Sequence, residues 1–226
     1  MAGLELLDAR SHAQLRALPA TAAGRHFVQV VPGEFGRIAA RCPILFTKHP
    51  DTGAFYAGAL FGVEAAENLL VDQHGQLEGF VPLDVEREGF FISGDSISID
   101  PASSRFTAGG AVLFEEAGEP SGELKRVQRA LASLKIGLEE SEAFIRTLLA
   151  HRLIESIDIS LSFDDGSQAV LDGLYTISRD ALHDLDDEVA LSLFRSGYLQ
   201  LAYIVIESLN QISLLARRRN DRLAGL

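Results

Sequence analysis

The sequence is poor in groups that crosslink or ligate. Its 226 residues hold one cysteine, Cys42. That excludes an internal disulfide framework and a multi-cysteine zinc site, and it fits a reducing compartment. Cys42 lies between a short helical stretch and an apolar strand, the setting of a buried, inert thiol rather than a nucleophile. Basic charge is also scarce. Twenty lysines and arginines face 32 aspartates and glutamates, giving a net charge of -12 and a pI of about 4.9. Nucleic acid and anionic membrane surfaces both need a basic footprint, so both are disfavoured as partners. The acidity itself serves solubility. No run of about 18 uncharged apolar residues occurs, so no membrane span is expected. The most apolar late stretch, Leu199–Leu215, is interrupted by Gln200, Glu207, Asn210 and Gln211 and reads as a buried helix. The N-terminus has no basic segment leading into an apolar one, so no secretory signal is read there. The expected location is the cytoplasm.

Familiar motifs are missing too. Neither GxxxxGK[ST] nor GxGxxG occurs, and there is no GxSxG elbow. Gly58 and Gly62 lie inside an apolar strand, where close packing or a bulge accounts for a glycine. No repeat of fixed period and no Pro- or Ser-rich linker divides the chain. One domain over residues 1–226 is expected, with any seam near Glu119–Ser121.

What is present is an ordinary core-forming composition, 47% hydrophobic and 23% charged. The clearest element is a hairpin. Two apolar runs, Pro43–Thr47 and Ala54–Val63, flank His49-Pro50-Asp51-Thr52-Gly53, where Pro presets φ, Asp bonds the backbone and Gly supplies a positive φ. His26–Val31 precedes it as a strand, and Glu34–Arg41 forms two helical turns. Ile97 and Ile99 alternate with Ser96, Ser98 and Asp100, the pattern of a half-buried strand. From Ser121 to Ile154, apolar residues recur at three- and four-residue steps, as in a helix, with Gly137 a candidate break. Ile157–Phe163 and Ala169–Ile177 flank Asp164-Asp165-Gly166-Ser167 as a second hairpin, and the C-terminus is helical. Strands, a long helical segment, a hairpin and then helices make an α+β fold with a mostly antiparallel sheet, not a doubly wound parallel one.

Candidate chemistry is sparse. His49-x-Asp51 has the HxD spacing of a non-haem iron triad, but PDTG is turn chemistry at an exposed tip, so no metal is expected. Carboxylates gather at Asp84, Glu86, Glu88, Asp95 and Asp100, close to Arg87 and Arg105. Such a group can do acid–base work or hold a hard cation, or form a solvated loop of screened ion pairs. Aromatics concentrate in the first half at Phe27, Phe55, Tyr56, Phe61, Phe90, Phe91 and Phe106. Most belong to the core, yet aromatic strands also make good peptide-binding walls.

The stretches HFVQVVPGEF (His26–Phe35), CPILFTKHPDTGAFYAGALFG (Cys42–Gly62), ENLL (Glu67–Leu70), REGFFI (Arg87–Ile92) and IDPASSRF (Ile99–Phe106) resemble the SapC-like family of bacterial proteins. LDGLYTIS (Leu171–Ser178) and GYLQLAYIVIESLNQISLL (Gly197–Leu215) extend the resemblance over nearly the whole chain. In the family pattern the position of His49 is commonly acidic, which weakens the iron reading further. The family takes its name from a surface-array locus, and its genes often lie near flavin-dependent halogenase-like, cupin-like and receptor genes. The resemblance therefore implies an accessory role in handling or modifying a peptide or protein. It carries over no catalytic residue.

The resulting expectation is a cytoplasmic, non-catalytic accessory protein without a cofactor. It recognises a peptide or protein partner through Phe55, Tyr56, Arg87, Phe90, Asp95, Asp100 and Arg105, and forms a homodimer across its C-terminal helix. One alternative is an oxidative or hydrolytic enzyme using the acidic loop with Arg87 and Arg105. Another is a surface-layer or assembly protein.

Overall fold

A computed structural model describes residues 3–77 and 79–225. In chain order the elements are β1 (Glu5–Leu6), β2 (Arg16–Ala17), β3 (Phe27–Gln29), α1 (Phe35–Ile38), β4 (Ile44–Lys48), β5 (Phe55–Leu60), α2 (Leu83–Glu86), β6 (Phe90–Ser93), β7 (Ser96–Ile99) and β8 (Ala111–Val112). There follow α3 (Gly122–Ala150), β9 (Ile154–Ser162), β10 (Gln168–Ile177), α4 (Arg179–His183), α5 (Asp187–Arg195), α6 (Tyr198–Ser208) and α7 (Gln211–Leu223). All strand pairings are antiparallel, so the fold is α+β as the sequence predicts. Two compact units form. The first takes residues up to 22 with 73–136, and the second takes 23–72 with 137 onward.

In the first unit, β1-β7-β6 make a small sheet and β2 pairs with β8. Their core is Ala17, Phe90, Ile99 and Leu113, closed by Leu124, Val127 and Leu131 of α3. The helix starts where Ser121 Oγ accepts from the Leu124 N–H at 3.3 Å and donates to the Val112 carbonyl at 2.7 Å, which satisfies one orphan donor of the first turn. Arg105 is the polar centre of this unit. Only 4% exposed, it donates to the carbonyls of Leu18 (3.1 Å), Glu88 (3.1 Å) and Glu86, and to Glu123 Oε1 at 2.9 Å.

In the second unit the sheet order is β3-β5-β4-β10-β9. The central hairpin thus gains two strands from the later one. Cross-strand partners share a face. Ile44 opposite Ala59, Phe46 opposite Ala57 and Lys48 opposite Phe55 mark one face; Leu45 opposite Gly58 and Thr47 opposite Tyr56 mark the other. Helices cover the first face. Phe144 of α3 meets Phe46 at 6.4 Å, Phe35 at 6.3 Å and Tyr198 at 5.3 Å. The Ile44 N–H donates to Ser208 Oγ of α6 at 2.9 Å.

Gly137 does not break α3, which runs unbroken for 29 residues. A Cβ at Gly137 would sit 2.5 Å from Val31 Cγ2, so the glycine lets the strand-to-helix segment press against the helix. That close approach outweighs the roughly 1 kcal/mol of lost helix propensity. The stretch Tyr198–Leu223 is long and apolar enough to cross a membrane by length and composition. Here it divides into α6 and α7, and Ala202, Val205, Ile206 and Leu215 are buried. Two of the arginines of α7 tie down the segment after β5. Arg218 reaches the Leu69 carbonyl at 3.5 Å. Arg219 pairs with Glu64 at 2.6 Å and with Glu67, and its guanidinium lies 5.5 Å from the Phe163 ring.

Cys42 is fully buried. Burial pushes its thiol up to about 12, against the positive charge of Arg218, which favours the thiolate. The thiol therefore stays protonated in the native state at a pH where the unfolded chain ionises it. Its contribution to stability is complete below the unfolded value of 9.0 and is lost as pH rises towards 12. We expect a loss of up to about 1.4 kcal/mol per pH unit above 9 from this group. Urea unfolding at pH 8, 9 and 10 measures it. A Cys42→Ala variant should show a flatter decline, and parallel profiles for the two proteins would clear the thiol of the effect.

Candidate functional site

The open face of the five-stranded sheet carries a cleft of about 470 Å³. Its shape follows from two local features. The first is Gly58 on β5. A Cβ there would lie 2.1 Å from Phe27 Cε1, so the Phe27 ring rests flat over a position where every other side chain is too large. Phe27 then meets Tyr56 edge to face, with centroids 6.1 Å apart at 72°. The second feature is the β9–β10 pairing, which slips between Leu171 and Leu174. Asp172 and Gly173 together stand opposite the single residue Asp158 of β9, so β10 carries one extra residue and bulges there. Thr47 Oγ1 donates to the Gly173 carbonyl at 3.0 Å and fixes the bulge over β4. Phe27, Tyr56, Leu60 and Val63 make the apolar lining; His26, Thr47, Glu64 and Asp172 are its polar side chains. Among the described residues, no lysine or arginine lines it.

Of the residues the sequence nominates, Tyr56 alone lines this cleft. Phe55 lies on the opposite face. There it stands edge to face with Tyr175 at 4.8 Å, with Lys48 Nζ 4.9 Å and 5.1 Å from the two ring centroids. The other nominated residues belong to the first unit. Arg87 donates twice to Asp84 Oδ1, at 3.0 and 2.5 Å, and covers Phe91 at 5.3 Å. Phe90 is fully buried and packs on Phe106 at 5.2 Å. Asp100 Oδ1 accepts from the Ala102 N–H at 3.0 Å, an Asx turn. Asp95 is exposed at the turn between β6 and β7 and borders a second cleft, of about 570 Å³, lined by Leu7, Ile92, Ile97, Phe114 and Lys135. Arg87 and Arg105 hold Asp84 and Glu123, not Asp95 or Asp100. Arg87, Arg105 and Asp100 of the acidic loop are thus each engaged in the first unit's own framework.

His49 and Asp51 sit at the exposed tip of the β4–β5 hairpin. The Asp51 N–H donates to His49 Nδ1 at 3.3 Å, and the carboxylate is 3.9 Å from the same nitrogen. Among the described residues there is no group of three or more His, Cys, Asp or Glu side chains that could hold a metal ion.

Sequence reasoning misses His26, Thr47 and Asp172 as site residues. A signal for one of them exists: Asp172-Gly173 in the middle of an alternating strand marks a bulge. The other two need the sheet order, which local pattern does not supply. Chemically the cleft suits recognition. It offers an edge-to-face aromatic pair, apolar side chains and two carboxylates.

The chain matches the SapC family over residues 7–215. No curated protein and no solved structure matches it. Since the match runs over nearly the whole length, the chain belongs to the SapC family.

Proposed function

We propose that this SapC-family chain is an accessory recognition protein that binds a peptide or a peptide segment of a protein in the cleft on the open face of the second unit's sheet. The observation that supports the reading is the cleft itself, with a ring laid flat over Gly58 beside Tyr56 and a fixed bulge forming the far wall. A cleft of about this size that sets aromatic and aliphatic side chains beside a few polar groups has the form of a binding site. The bound peptide is presented to a partner enzyme of the flavin-dependent halogenase-like kind that the family resemblance suggests.

Display of a random heptapeptide library tests the binding step. Enriched clones should bind the purified protein with micromolar affinity. Tyr56→Ala should weaken them at least tenfold, while Phe55→Ala, on the opposite face, should leave them within twofold. Clones that are indifferent to Tyr56, or a library with no enrichment, would remove the cleft as a peptide site.

A further inference from the structure

The electrostatics of the same cleft point to the chemistry of its ligand. We infer that it takes a basic peptide, seating a lysine or arginine side chain between the aromatic wall and Asp172. This inference rests on the peptide-binding reading above and adds the residue class selected.

Three observations carry it. First, among the described residues the cleft is lined by two carboxylates, Glu64 and Asp172, and by no lysine or arginine. Glu64 is already held by Arg219. Asp172 makes no ion pair or side-chain hydrogen bond among the described residues, and the bulge of β10 turns it out beside the apolar wall. An uncommitted carboxylate beside aromatic and aliphatic side chains is available as a counter-charge to a cationic ligand group. Second, Phe27 and Tyr56 present an edge-to-face pair, and ring faces attract an alkylammonium or guanidinium group, whose methylene stem also packs well against apolar walls. The chain uses this mode internally, where Lys48 Nζ lies about 5 Å from both rings of the Phe55–Tyr175 pair. Third, the whole chain carries a charge of -12, so its field draws a cationic peptide and repels an acidic one.

The experiment sorts this inference from the reading beneath it. The heptapeptide library is selected on the wild-type protein and on Asp172→Lys, an exposed position, with the variant's fold checked by circular dichroism. The expected wild-type result is at least fivefold enrichment of lysine or arginine at one position. Replacing that lysine by the isosteric neutral norleucine in a fluorescein-labelled clone should weaken binding at least tenfold. Asp172→Asn should weaken the lysine peptide severalfold and leave the norleucine peptide unchanged. Selection on Asp172→Lys should lose the basic preference. Raising salt from 50 to 500 mM should weaken the lysine peptide more than the norleucine peptide. If enriched peptides bind in the cleft with no basic position and with equal affinity for norleucine, the charge inference falls and peptide recognition stands. If no peptide is enriched, both fall. Spermidine competing as well as the peptide would overturn the peptide as the source of the cation.

Discussion

Replacing Arg105 with alanine is expected to destabilise the first unit by about 3–5 kcal/mol, the range for breaking a buried, hydrogen-bonded ion pair from one side. The guanidinium reaches three backbone carbonyls and the Glu123 carboxylate, whose side chain is 7% exposed. It also lies 5.3 Å from the Phe90 ring. Removing it strands those carbonyls and leaves Glu123 with Arg126 as its remaining partner. Lysine keeps the charge, but one ammonium cannot span acceptors contributed by Leu18, Glu86, Glu88 and Glu123. Arg105→Lys should therefore still cost about 2 kcal/mol. Urea unfolding gives the totals, and amide exchange should quicken first across residues 86–106. A change under about 0.5 kcal/mol for Arg105→Ala would show that the arginine does not hold this unit together.

The second large effect is expected at Phe144. It is fully buried and meets Phe35, Phe46 and Tyr198. Phe144→Ala should cost about 3–5 kcal/mol through lost transfer energy and the cavity left behind. Alanine is the better helix former, but by only about 0.5 kcal/mol, too little to offset the loss. Phe144→Leu fills most of the volume and should cost under about 1.5 kcal/mol. Chemical denaturation separates the two, with lost amide protection in β4 and β5 as the local signature. Equal effects for the two variants would mean that ring contacts, not volume, dominate at this position.

The sequence made some of this legible and hid the rest for physical reasons. His49–Gly53 announces a hairpin because turn residues act on their own neighbours, and β4 and β5 form on either side of it. Strict alternation in Ile157–Phe163 likewise announces β9. Arg105 is different. Nothing in IDPASSRF says that its guanidinium is buried, because its acceptors come from Leu18, Glu86, Glu88 and Glu123. The same holds for the cleft. Tyr56 and the close approach at Gly58 are readable along β5, but Phe27 and Asp172 join them only through the order β3-β5-β4-β10-β9. Local pattern writes strands and turns; it does not write which strand lies beside which.

That strand order also has a consequence on the ribosome. Residues 23–72 emerge early, but β10, the neighbour of β4, and the Phe144 turn of α3 come only after the first unit has been made. At about 5–20 residues per second, the nascent β4–β5 hairpin waits of order ten seconds with the outer edge of β4 unpaired and Phe46 uncovered. An unpaired edge beside apolar residues is a template for aggregation. A chaperone that covers apolar strands on the ribosome should therefore raise the soluble yield of the chain, and slowing translation between residues 73 and 177 at constant temperature should lower it.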